Sequence, residues 1–131
     1  MQLTLGPILF DWKKEDLFRF YDEVADMPVD RVYLGEVVCI KKKGLSVKEL
    51  EVVGKKLERA GKEVVISSLA VVSNEEELKL VRDIASLPFP IEANDMSVFN
   101  VLPSSHSPLP TSKIIAGPHI TTYNVPSIDF L

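Results

Sequence analysis

Cysteine is nearly missing from this chain: Cys39 is the only one in 131 residues. An internal disulfide is therefore excluded, and a reducing compartment is expected. No apolar run approaches the length of a membrane span. Met1-Gln2-Leu3-Thr4 lacks the basic-then-apolar order of a signal peptide, so cytoplasmic residence is the default expectation. A basic stripe is missing too. The net charge is −4 and only Lys41-Lys42-Lys43 cluster, which argues against nucleic-acid binding. The six glycines form neither G-x-G-x-x-G nor a P-loop, and no G-x-S-x-G elbow is present. No repeat period marks a solenoid.

What remains is an ordinary globular composition, 46% apolar and 26% charged. The length suits a single domain over 1–131 with a real core, but it falls short of a complete α/β barrel. Leu3 to Phe10 reads as a short strand running into a loop at Gly6-Pro7. Asp11 is placed to cap a helix from about Trp12, with Leu17, Phe20, Tyr21 and Val24 on its apolar face, ended by Pro28. Arg31 to Gly35 is a second strand, and Cys39 follows shortly after it. Ser46 with Glu49 is a capping-box pattern. Leu50, Val53, Leu57 and Ala60 then form a buried face that Gly61 stops.

Val64-Val65-Ile66 is a continuous β-branched run, typical of a strand covered on both faces. Asn74 with Glu75, Glu76 and Glu77 opens a helix whose apolar face is Leu78, Val81, Ile84 and Ala85. Pro90 to Ala93 is a brief strand, and Met96 to Leu102 holds one or two helical turns. Pro103 to Ser112 is an irregular Pro/Ser loop. Lys113 to Gly117 is the fifth strand, and Asn124 starts a last helix. Strands alternating with amphipathic helices predict right-handed βαβ units and a parallel α/β sheet of five strands.

In a barrel, the polar residues at strand ends gather on one face, where active sites lie. These are Glu36, Ser67, Ser68, Asn94, Asp95 and Asn124. Glu36 and Asp95 have the chemistry for acid–base work. Ser67, Asn94 and Asn124 are candidates for a substrate-facing surface. The competing reading is that such residues cap the helices that follow, a role that suits Asn94-Asp95. Cys39 is a soft ligand or nucleophile, or else a half-buried small hydrophobe. A metal site from Cys39, His106 and His119 lacks paired ligand spacing. A serine-hydrolase grouping of Ser67 or Ser68 with His119 and Asp95 lacks a local signature.

Several words at strand ends carry a resemblance: Tyr33-Leu34-Gly35-Glu36-Val37-Val38-Cys39, Glu92-Ala93-Asn94-Asp95, and Gly117-Pro118 before Tyr123-Asn124. With Leu3-Thr4-Leu5-Gly6-Pro7 and Glu58 to Val65, they make the chain similar to the collagenase-like peptidase family over almost its whole length. The resemblance implies a TIM-type (βα)8 barrel, of which this chain would be roughly the first half. It also implies a [4Fe–4S] cluster on four cysteines, with Cys39 at the first ligand position and the other three in the second half of the barrel. The implied activity is accessory to oxygen-independent hydroxylation in ubiquinone biosynthesis, with a UbiU-like partner of the same family. One departure is Ile40-Lys41-Lys42, where the family has a serine before basic residues. Another is His119-Ile120-Thr121-Thr122, where an asparagine is expected.

Two classes of function follow. One is a cofactor-dependent biosynthetic factor, seen here in its N-terminal part and not competent alone. The other is a non-catalytic α/β module that associates through an exposed sheet edge as a homo- or heterodimer. A peptidase-like hydrolase is a distant third, since a family label does not establish proteolysis.

Overall fold

A computed structural model describes residues 1–40, 44–102, 114–122 and 124–130. Five strands and five helices alternate in it: β1 (Thr4–Leu5), α1 (Lys14–Asp26), β2 (Arg31–Leu34), α2 (Val47–Arg59), β3 (Glu63–Ser67), α3 (Glu75–Ala85), β4 (Ile91–Ala93), α4 (Ser97–Val101), β5 (Ile114–Ala116) and α5 (Val125–Phe130). The expected Pro103–Ser112 loop lies outside the described residues, as do Lys41, Lys42 and Lys43.

The strands form one sheet in the order β1-β2-β3-β4-β5, every neighbouring pair parallel. A flavodoxin-type or Rossmann-type sheet reverses its winding and places a later strand outside an earlier one. Here each crossover steps to the next position in one direction. Right-handed crossovers that always step one way put every helix on one face, as in a barrel wall.

Packing agrees with the topology. The core joins Tyr21 and Val24 of α1, Leu50, Val53 and Leu57 of α2, Val81 and Ile84 of α3, and Val98 of α4. All of them meet one set of strand positions: Val32, Leu34, Val64, Ile66, Ile91 and Ala93. The register aligns these residues in rows, so they share one face. The opposite face carries Arg31, Tyr33, Glu63, Val65, Ser67, Glu92 and Ile115. It is half polar, with Arg31 Nε donating to Glu63 Oε2 at 2.9 Å. Val65 is fully buried but stands outside the helix-side core.

Helix termini follow local chemistry. The Ser46–Glu49 capping box forms in both directions, and Asn74 Oδ1 accepts from Glu77 N. Gly61 turns the chain at φ +83° after α2. Two expectations need correction. Asp11 does not cap α1. Trp12 N bonds back to Phe10 O, so the helix starts only at Lys14 behind an extended Lys13, and Asp11 falls too early to reach its free amides. Glu15 and Asp16 supply the favourable charge of the first turn instead. Ala60 is exposed, because α2 ends at Arg59 and Ala60 leaves the helical path before reaching the buried stripe.

Candidate functional site at the carboxyl ends of the strands

The carboxyl end of β2 is set by Gly35, whose φ of +117° a residue with a side chain rarely adopts. A Cβ there would also lie 2.7 Å from the Ser67 carbonyl oxygen, so β2 and β3 close up where both strands end. The chain then passes Glu36 and Val37. Val37 O accepts from Ala70 N at 2.8 Å, tying the loop after β2 to the loop after β3. Cys39 lies two residues further along that loop, half-buried and at the same end of the sheet as Asn94 and Asn124.

Glu36 packs its carboxylate over Gly44, where a Cβ would come within 2.2 Å of Oε1. Its charge also reaches Tyr21. Burial first, and Glu36 second, push the Tyr21 phenol well above its usual range, so it stays protonated. Glu36 lines an open cleft of about 290 Å³ with Lys14, Ile40, Ser46, Ser67 and Glu76.

The tightest polar cluster joins β3 and β4. Ser67 Oγ donates to Glu92 Oε2 at 2.6 Å, and Asn94 Nδ2 donates to the same oxygen at 3.0 Å. Asn94 Nδ2 also donates to Ser68 O at 3.1 Å, while Asn94 N donates to Ser68 Oγ at 2.9 Å. Ser67, Ser68 and Asn94 are all 2% exposed or less. The amide orientation follows from its neighbours: two acceptors surround Nδ2, so the other nitrogen–oxygen assignment would set acceptor against acceptor. Asn94 Oδ1 has no hydrogen-bond partner among the described residues and faces the α-carbon of Gly117. A Cβ on Gly117 would lie 2.0 Å from it.

The structure therefore brings Ser67, Ser68 and Asn94 into one network, and Ser67 also borders the Glu36 cleft. Asp95 and Asn124 act as helix-terminal acceptors. Asp95 Oδ1 takes Ser97 N at 2.8 Å, and Asn124 Oδ1 takes Ser127 N and Oγ at 3.0 and 2.9 Å. Asn124 also borders a second open cleft with Met96, Ile120 and Thr121. His119 is exposed in the turn after β5, and His106 lies outside the described residues. Both serine side chains are engaged from β4 and its carboxyl end, Ser67 by Glu92 and Ser68 by the backbone N–H of Asn94 just past the strand.

Glu92 joins the network unforeseen by the sequence reading. The available signal was a carboxylate inside a three-residue strand, flanked by Ile91 and Ala93 and two residues before Asn94.

Among the described residues, no three His, Cys, Asp or Glu side chains are grouped to hold a metal ion. A [4Fe–4S] cluster takes four ligands, as a rule cysteine thiolates, and this sequence has one cysteine. The donor set does not fit a cluster held by these 131 residues alone. No described helix is long and apolar enough to cross a membrane. No protein-family model matches the chain, and no solved structure matches it.

Proposed function

We propose that this chain is barrel-wall scaffolding for an accessory biosynthetic factor that works only in association. It resembles UbiV, a member of the collagenase-like peptidase family that serves oxygen-independent hydroxylation in ubiquinone biosynthesis. A UbiU-like chain of the same family is the partner in this reading, and the compartment is the cytoplasm. The supporting observation is the one-directional strand order, which collects Glu36, Cys39, Ser67, Glu92 and Asn94 at a single rim. Cys39 would offer one thiolate there, and the remaining cluster ligands would come from outside these residues.

The test is anaerobic incubation with ferrous iron and sulfide, with and without a UbiU-like partner, read by visible absorption and light scattering. The chain alone is expected to stay colourless. With the partner, a complex should form whose visible absorption exceeds that of the partner alone, and Cys39→Ala should remove the excess. If no complex forms, or the excess is unchanged in Cys39→Ala, the reading fails.

A second reading, a non-catalytic α/β module pairing as a homodimer through the β5 edge, has one observation in its favour. Ile114 on β5 and Val125 and Ile128 on α5 are 38%, 67% and 59% exposed. A colourless dimer that ignores the UbiU-like chain would select it.

A further inference from the structure

We propose that Glu92 is the anchor of a small-molecule subsite on the face of the sheet opposite the α1–α4 core, taking a hydrogen-bond-donating head group on a compact apolar body. This rests on the barrel-wall reading of the sheet but not on any cluster or partner.

The Glu92 carboxylate is held from one side. Both of its hydrogen bonds enter through one oxygen, Oε2, from Ser67 Oγ and Asn94 Nδ2. Both donors are nearly fully buried, so the carboxylate is fixed in place by groups that have little room to move. The other oxygen, Oε1, takes no hydrogen bond from a described residue and remains within reach of solvent on a half-buried side chain. A carboxylate serving only to satisfy buried donors could have spread them over both oxygens. Here one oxygen does all the internal work and the other is left to an external donor.

The surroundings define the ligand. Glu92 shares its sheet face with Ser67 on one side and Ile115 on the other, through the register Ser67↔Glu92↔Ile115. Half-buried Tyr33 lies on the same face two strands away, across the fully buried Val65. Ser67 has committed its proton to Oε2, so no described donor competes for Oε1. The preferred occupant carries a protonated amine or a hydroxyl beside an apolar or aromatic body, because a fixed carboxylate oxygen accepts from either. A carboxylate-bearing molecule is rejected by like charge.

The experiment is a ¹⁵N–¹H titration of the full chain, following the Asn94 side-chain amide and the Ile115 backbone amide. The probes are benzylamine, phenol and benzoate. Benzylamine is expected to shift both signals with a Kd of about millimolar, a range suited to so few atoms. Phenol should bind more weakly at the same place, and benzoate should leave both signals unmoved. Glu92→Gln should weaken benzylamine about tenfold while affecting phenol less, since a charge-assisted bond becomes a neutral one. If Glu92→Gln does not fold, the order of the three probes on the unaltered chain still decides. The proposal is overturned if benzoate binds as well as benzylamine, if the shifts map away from Asn94 and Ile115, or if none of the probes binds. Each of these outcomes concerns this chain alone, so they separate failure of the subsite from failure of the partner reading.

Discussion

Replacing Gly117 with alanine tests whether the β4–β5 junction is built around the Asn94 side chain. The new Cβ would stand 2.0 Å from Asn94 Oδ1, 2.7 Å from its Cγ and 2.9 Å from Ala93 O. Asn94 is 2% exposed and held by Ser68 O and Glu92 Oε2, so it cannot swing aside without giving up two hydrogen bonds. Overpacking of this kind costs about 1–3 kcal/mol, and each strained hydrogen bond adds about 1 kcal/mol. With both bonds strained the expected loss is about 3–5 kcal/mol. Detachment of β5 caps that figure, because Ile114 and Ala116 on this edge strand are exposed and little core is lost if it peels away. Urea denaturation gives the loss as a change in midpoint, and detachment would show as a reduced m-value. The decisive comparison is a double-mutant cycle with Asn94→Ala. Once the Asn94 amide is gone, the Cβ keeps only the contact with Ala93 O, so about 1.5–2 kcal/mol of the Gly117→Ala cost should vanish. Additivity within about 0.5 kcal/mol would mean that the two residues do not meet as described.

Gly54→Ala in α2 should destabilise the protein even though alanine favours helices by about 1 kcal/mol. The new Cβ would lie 2.6 and 2.9 Å from atoms of the buried Phe89 ring, an overpacking cost of about 1–3 kcal/mol. A raised Tm would contradict this close packing. Leu57→Ala should cost about 2–5 kcal/mol in urea titration, since Leu57 is fully buried among α2 core residues. A loss under about 1 kcal/mol would show that α2 is not seated on the sheet. For pH, the Ser46 backbone N–H, then Lys14, hold the Glu49 carboxyl below its ordinary value of 4.5. Its folded value is the lower one, so its stabilisation is complete above the ordinary value and is lost as pH falls through the lowered one. The Tm advantage of the unaltered chain over Glu49→Gln should therefore shrink on acidification, and an advantage constant with pH would contradict the assignment.

Local structure was legible in the sequence wherever a residue acts on its own near neighbours, by a side-chain hydrogen bond or by a backbone angle that glycine favours. Ser46 with Glu49, Asn74 with Glu77 and Gly61 after α2 act within a few residues of themselves, so spacing is enough to find them. Asp11 misled for the same reason in reverse. Its type suits a cap, but a turn between Phe10 and Trp12 displaces the helix start. The site was partly legible. Ser67 and Asn94 stand at strand ends, but their shared acceptor could not be found from either position alone. Glu92 meets Ser67 only through the β3–β4 register, across 25 residues of chain. Asp95 and Asn124 have a capping type and a site-bearing position at once, and only the bonds to Ser97 and Ser127 reveal which role they fill.

Strand order is the hardest feature to read from sequence, because alternation of strands and helices is common to doubly wound sheets and barrels. The polar residues inside the strands nevertheless bear on it. A doubly wound sheet has helices on both faces, and its strands read as near-continuous apolar runs. β3 contains such a run at Val64-Val65-Ile66 and β5 is apolar throughout at Ile114-Ile115-Ala116, which favours two covered faces if taken by themselves. The neighbours of β3 differ: β2 alternates as Arg31-Val32-Tyr33-Leu34, and β4 as Ile91-Glu92-Ala93. Register places Arg31 beside Glu63 and Ser67 beside Glu92, all on the face opposite the helix-side core. A second layer of helices there would bury an ion pair and a carboxylate away from water, at a cost of several kcal/mol for each uncompensated charge. The polar face is therefore compatible with the interior of a barrel wall, where charged groups can pair and meet a ligand. A second helix layer over the Arg31–Glu63 pair and Glu92 would carry that cost, while on β3 the same face is already covered at Val65 and Ser67.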